Sequence, residues 1–210
     1  KEAGTFTASR ADGDNLTTFL FNGAANTLED DGTFAVNGTN VTVELVNALG
    51  ESGGARSLTK TGTGVLVLSG ANTYSGATTI GGGTLRIDGN AQLGNTNTTL
   101  TISNAGILEV TAAGTLSNSI TIGAGNGVLS NSSAGALVIA GAVSKDGTVF
   151  TSRSGSGTNL FTGVISGTNA NSDFIVDGGT TVFSNAMTYN GPTIITNGGT
   201  LVLAVDDAMP

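Results

Sequence analysis

The sequence has no cysteine, no histidine, no tryptophan and only two prolines among its 210 residues. A thiol nucleophile, a zinc centre, a Ser-His-Asp triad and a histidine- or cysteine-ligated haem are therefore excluded. The commonest general base is missing as well. Positive charge is scarce, with 7 Lys+Arg against 15 Asp+Glu for a net charge of −8. The cations are scattered singly, from Lys1 and Arg10 to Lys60 and Arg86, so neither nucleic acid nor an anionic membrane surface finds the basic cluster it needs. Long apolar runs are also missing. The longest uncharged stretch, Val110 to Ser144, is broken throughout by Gly, Ser and Asn, so no direct membrane insertion by a helix is expected. The chain opens on Lys1 with no apolar leader core, which points to a processed protein or a piece of a longer one. Lack of cysteine leaves the redox compartment open and is compatible with export.

What is present is narrow in kind. Gly 34, Thr 33, Asn 20 and Ser 18 make up half of the chain, while apolar residues still reach 38%. That apolar share is too high for a disordered polar tract, so a fold is expected. No window of ten residues shows helical spacing of apolar positions. Short alternation recurs instead, as in Val41-Thr42-Val43-Glu44-Leu45, Leu85-Arg86-Ile87-Asp88 and Leu137-Val138-Ile139. Turn pairs such as Asn37-Gly38, Asp12-Gly13, Asn126-Gly127, Asp146-Gly147 and Asn197-Gly198 separate these segments, which begin roughly every eight to ten residues.

A sandwich or barrel and a parallel β-solenoid both fit such spacing. Three features favour the solenoid. Thr73-Tyr74-Ser75-Gly76 followed by Gly82-Gly83-Thr84-Leu85 returns as Thr188-Tyr189-Asn190-Gly191 followed by Gly198-Gly199-Thr200-Leu201. A Gly-x-Leu or Gly-Ile-Leu strand start recurs at Leu85, Leu108 and Leu129, the interval of one coil of three short strands. Aromatics at 5% suit stacked aliphatic ladders better than a sandwich core. The expected architecture is all-β, a single elongated β-solenoid over residues 1–210 with roughly 20–25 residues per coil and about nine coils. Thr, Ser and Asn then face solvent or form hydrogen-bonded ladders at the corners.

The run from Ser57 to Gly94 resembles the autotransporter-associated (passenger-associated) β-strand repeat. The residues that carry the likeness are the turn Lys60-x-Gly62-x-Gly64, the strand Val65 to Leu68, then Asn72-Thr73-Tyr74 with Gly76, and Gly83-Thr84-Leu85. A well-matched copy is assigned to residues 57–94. A degenerate second copy is assigned to 178–210, carried by Thr188, Tyr189, Gly191, Gly199, Thr200 and Leu201, without the lysine turn. Phe161 to Gly167 resembles the segment that commonly precedes such repeats. The resemblance implies a right-handed parallel β-helix on a bacterial surface protein, extracellular or at the outer-membrane surface. The repeat is a scaffold element, so it brings no catalytic residue, cofactor or metal.

Asp12, Asp14 and Asn15, and Glu29-Asp30-Asp31-Gly32, supply oxygen ligands of the kind Ca²⁺ accepts, but equally make solvated turns; the calcium loop patterns are absent. Glu44, Asp88, Glu109 and Asp173 lie in or beside strands. They would serve a polysaccharide-active enzyme only if two of them shared one groove. Sequons at Asn15, Asn37, Asn40, Asn97 and Asn131 are no more frequent than chance. Lys60 reads as a functional contact or, more simply, as a solvated or capping cation, and Tyr74 and Tyr189 as corner or packing residues. Arg86 alternates with Leu85 and Ile87 and points outward. The expectation is a structural or adhesive module that is not an enzyme. Its partners would be cell-surface glycans or proteins, or further copies of itself stacked head to tail into a filament, because a β-helix end without a cap exposes apolar ladders and unpaired backbone.

Overall fold

A computed structural model describes residues 4–9, 17–21, 26–206 and 208–209. Every strand pairing it contains is parallel, and every strand pairs with one roughly a coil away in sequence. This is the signature of a β-solenoid. The first sheet stacks nine strands: Gly4–Ser9, Gly32–Asn37, Leu58–Thr61, Thr78–Ile80, Leu100–Ile102, Ile120–Ile122, Val143–Ser144, Ile165–Gly167 and Thr188–Tyr189. The second also stacks nine: Thr17–Phe21, Val41–Leu45, Val65–Leu68, Thr84–Ile87, Gly106–Val110, Gly127–Asn131, Phe150–Ser154, Phe174–Asp177 and Thr193–Thr196. The third side is a sheet only from the fifth coil onward, through Gly114–Leu116, Ala136–Ile139, Thr158–Phe161, Thr180–Phe183 and Thr200–Leu203. Before that it holds a two-stranded pair, Asn26–Leu28 with Leu49–Glu51, then irregular chain and a single 3-10 turn at Asn90–Leu93.

The step from one strand to its partner ranges from 19 residues, Val65 to Thr84, to 28, Gly4 to Gly32. Strands keep their register while the corners absorb this variation, because inward residues must stack on inward residues. Leu66, Leu85, Leu108 and Leu129 form one such column. Ile80, Ile102 and Ile122 form another. Both columns are fully or almost fully buried. Aromatics are few but concentrated. Phe150, Phe161, Phe174 and Phe183 fill the core of the seventh and eighth coils with ring centroids 5.1 to 6.1 Å apart, mostly edge to face. A second aromatic group, Phe6, Phe21 and Phe34, packs in the first two coils, and aliphatic ladders dominate the coils between.

The aromatic core of the seventh and eighth coils encloses a polar group of three. Ser152 occupies the column position between Leu129 and Val176. Its hydroxyl lies 2.9 Å from that of Thr181 and accepts a hydrogen bond from Asn159 Nδ2 at 2.9 Å. Asn159 Nδ2 also donates to the Arg153 carbonyl at 3.0 Å. All three side chains are fully buried, and Asn159 Oδ1 has no partner.

Candidate functional site

In the repeat, the chemistry is concentrated in corners. Lys60 is an inward residue of Leu58–Thr61, in register with Phe34 on one side and Ile80 on the other. It is not at the surface; the residue is fully buried. Its ammonium donates to the carbonyls of Thr61 and Gly62 at 2.9 Å, and to that of Gly82 at 3.1 Å. Burial without a carboxylate partner pushes its pKa down to about 8. A glycine of the next coil, facing the lysine turn, makes this cage possible. Gly83 has φ +61°, and a Cβ there would lie 2.4 Å from the Gly62 carbonyl and 2.8 Å from the Lys60 ammonium. Any side chain would displace the ion from its acceptors.

Lys145 sits at the matching level of the seventh coil, two positions beyond the Ile120–Val143 pairing and so level with Ile122. It too is fully buried. Its ammonium donates to the Ser172 carbonyl and lies 4.0 Å from the centroid of the Tyr189 ring. Burial pushes its pKa down to about 8, against an opposing pull from Asp173. Lys145 was not singled out in the sequence. Its signal was its place: the inward position directly after the strand Val143–Ser144 and before the turn Asp146-Gly147.

The two tyrosines repeat one device. Tyr74 and Tyr189 are fully buried, and each hydroxyl bonds to the threonine four residues on, Tyr74 to Thr78 at 2.7 Å and Tyr189 to Thr193. Burial pushes the Tyr74 phenol up to about 12 and raises that of Tyr189. Asn72 ties three coils together: its Oδ1 accepts from the Leu49 amide at 2.7 Å, and its Nδ2 donates to the Gln92 carbonyl at 2.6 Å. In the second copy Met187 takes that place, and its sulfur accepts from the Ile165 amide at 3.2 Å. Gly76 and Gly191 lie backbone against backbone with the preceding coil. A Cβ at Gly76 would be 2.3 Å from Arg56, and one at Gly191 would be 2.3 Å from Ser172.

Although the two copies share these contacts, they do not lie on the same sides of the rod. In the first, the strands Leu58–Thr61 and Val65–Leu68 belong to the first and second sheets. The corresponding strands of the second copy, Phe174–Asp177 and Thr180–Phe183, belong to the second and third. Thr84 and Leu85 lie in the second sheet, while Thr200 and Leu201 lie in the third. The second copy is turned by one side about the axis. Thr73 is exposed beside the buried Tyr74, as is Thr188 beside Tyr189.

The carboxylates do not converge. Glu44 and Glu109 share the outer face of the second sheet, with Val67 and Arg86 between them in the column. Glu109 is paired with Arg86 at 2.9 Å, and Glu44 accepts from the Ser69 hydroxyl at 2.8 Å. Asp88 lies beyond the strand Thr84–Ile87, and Asp173 directly precedes Phe174–Asp177. Asp31 accepts from the Ser57 amide at 2.8 Å, and Asp30 lies 3.5 Å from Arg56. Asp12, Asp14 and Asn15 lie outside the described residues. Among the described residues no three ligand-type side chains gather at one point, and no helix is long and apolar enough to cross a membrane.

Residues 58–87 and 176–203 each match the family model described as the passenger-associated-transport-repeat. The recognition of that repeat in the sequence is thereby confirmed at both places. No curated protein and no solved structure matches the chain significantly.

Proposed function

We propose that the chain is a structural and adhesive module of a bacterial surface protein, of the kind an autotransporter passenger presents, with the solenoid as its working part. The observation that carries this reading is that two passenger-associated repeats are built into one stack of parallel coils, and that their characteristic residues are spent on corners and coil-to-coil clamps. Stacked parallel sheets give stiffness, since each coil buries its apolar face against its neighbours. Residues 58–87 and 176–203 are the repeat-bearing parts of one elongated unit on this reading, and its partners are cell-surface glycans or proteins. The test is immunogold labelling of intact source cells together with binding to host cells and to a glycan array. Surface label and saturable binding without turnover are expected; absence of label on intact cells, or turnover of a bound polysaccharide, overturns the reading.

A head-to-tail filament is the second reading, favoured by the state of the last described coil. Ile195 and Leu203 continue the inward columns of Val176 and Phe183, yet are 52% and 49% exposed. A further coil, or a second copy, would cover them. Electron microscopy across a concentration series separates the two readings: fibres that lengthen with concentration support the filament, and isolated rods at every concentration exclude it.

A further inference from the structure

The outer face of the second sheet carries two columns of different character, side by side. One is largely aliphatic: Val65, Ile107, Val128, Ile175 and Ile194 stand in it, with Thr84 and Thr151 at the coils between. The other runs Arg86, Glu109, Ser130, Arg153, Asp177 over five successive coils. All of these residues are at least partly exposed. The corners that lead into the sheet, such as Gly62-Thr63-Gly64, Gly81-Gly82-Gly83 and Asn104-Ala105, hold small residues, so no bulky side chain stands at that margin.

The signs of the charged column are ordered. Along the rod they read plus, minus, neutral, plus, minus, with Ser130 at the centre. Half a turn about an axis lying along the strand Gly127–Asn131 reverses the order of the coils, keeps the strand direction and lays the face of a second copy on this one. Arg86 then meets Asp177 of the second copy, Glu109 meets Arg153, and Ser130 meets Ser130. The same operation sets Val65 against Ile194, Thr84 against Ile175, Ile107 against Thr151 and Val128 against itself, so the aliphatic column faces its own kind. The pattern is self-complementary, which is what a two-fold contact requires.

A second observation concerns the arginines. Within one copy Arg86 holds Glu109 at 2.9 Å and Arg153 holds Asp177 at 2.7 Å, each through Nε, while the two arginine side chains stay 40% and 46% exposed. Their terminal amino groups keep donors for a second carboxylate. Across the axis each pair would close a ring of four alternating charges, and networks contribute where isolated surface pairs do not. Other registers do worse. An axis along the rod sets every charge against its own copy. An axis between the fourth and fifth coils pairs Glu44 with Arg153 and Arg86 with Glu109, but lays Asp177 on Leu20. The axis at Ser130 gives the longest overlap, from the third coil to the ninth, in which every charge meets its opposite. At about 4.8 Å per coil and about 3.3 Å per residue, that overlap buries roughly 1,000 Å² in total, the lower bound for a specific interface.

We propose that the second sheet is a self-docking face, on which two copies of the chain lie side by side and antiparallel about a two-fold axis through Ser130, Arg86 against Asp177 and Glu109 against Arg153. The contact is isologous and closes at two copies, unlike end-to-end stacking. It rests on the second sheet alone and stands or falls separately from the placement of the protein at a cell surface. The test is sedimentation equilibrium and small-angle X-ray scattering of the full chain across a concentration series, with Glu109→Arg, Arg153→Glu, their equimolar mixture and, as a control on the third sheet, the partly exposed Leu160→Glu, each checked by far-UV circular dichroism. A monomer–dimer equilibrium is expected for the unaltered chain and for Leu160→Glu, with a dimer that doubles the cross-section of the rod, keeps its length and dissociates at about 0.5 M salt. Each charge variant sets like charges together at two places and should dimerise at least about tenfold more weakly. Mixing the two variants puts every charge back against its opposite, and the dimer returns. Should either charge variant fail to fold, Val128→Glu, which sets two carboxylates together on the axis, is expected to abolish the dimer. An unaltered chain that stays monomeric at every concentration or doubles in length, folded variants of this face that dimerise undiminished, or a mixture that stays monomeric overturns the proposal.

Discussion

The ammonium of Lys60 donates to the carbonyl oxygen of Gly82, 3.1 Å away and one coil further on, so a single buried ion fastens two coils at one corner. The other two acceptors, Thr61 and Gly62, belong to the coil of the lysine itself. Lys60→Met keeps most of the side-chain volume and leaves three carbonyls without their donor. An unmet buried polar group costs about 1–3 kcal/mol, and we expect a loss of about 2–3 kcal/mol in urea unfolding followed by circular dichroism. An unchanged midpoint would mean that water replaces the ammonium.

Alkaline titration gives a second expectation. Lys60 and Lys145 have pKa values of about 8 against an ordinary 10.5, so between those limits the unfolded chain binds more protons than the folded one, and stability rises with pH. The tyrosines act in the opposite sense. Tyr74 is raised from 10.0 to about 12, so above pH 10 the unfolded chain loses phenolic protons first, and stability falls. A melting temperature that climbs from pH 8 and turns over near pH 10 is expected. A monotonic fall from pH 8 upward would contradict the burial of both lysines.

Ser152, Asn159 and Thr181 form a small polar island among phenylalanines. Ser152→Val removes the acceptor of Asn159 and the partner of Thr181, and should cost about 1–3 kcal/mol although it restores an aliphatic column. Replacing all three at once, as Ser152→Val/Asn159→Leu/Thr181→Val, removes the orphaned Asn159 Oδ1 as well and is expected to be neutral or stabilising by comparison. Denaturant midpoints of the single and triple variants decide the matter; equal losses would rule out coupling within the group.

Gly76→Ala places a Cβ 2.3 Å from the Arg56 backbone, whereas a Cβ at Gly114 meets nothing within 4 Å. The first substitution forces two coils apart and should cost about 3 kcal/mol. The second should leave stability within about 0.5 kcal/mol of the original. Hydrogen exchange at the corner around residues 56 and 57 would localise the damage, and similar protection in both variants would argue against the close approach.

Much of this was legible in the chain beforehand. Leu85, Leu108 and Leu129 are successive members of one buried column, because the alternation that buries them also fixes their register. The tyrosine repeat was visible because a corner device that depends on a residue and its fourth successor survives duplication intact. The burial of Lys60 was less evident. Its residue type argues for solvent, and only its position in Leu58-Thr59-Lys60-Thr61 argues for the core; position prevailed because three carbonyls satisfy the charge. The outward column of Thr33, Thr59, Thr79, Thr101, Thr121 and Ser144 on the first sheet was hidden for another reason. Coil steps between 19 and 28 residues leave no fixed period along which the threonines could be aligned. Ser152, Asn159 and Thr181 are of residue types expected at the surface or at corners, and only the meeting of three strands puts them in the core.

The one-side rotation between the two repeat copies has a consequence for how such rods change in length. A block that fits equally well against different flanks behaves like a thread on a screw, not like a brick in a wall. Gain or loss of chain in whole coils would lengthen or shorten the rod and leave each surface in line. Gain or loss of a single side would swing everything downstream round the axis, carrying a threonine-bearing flank to where a charged one had been. Relatives of this chain could thus present opposite flanks to the same neighbour through an indel of a few residues at one corner, with no substitution on either surface.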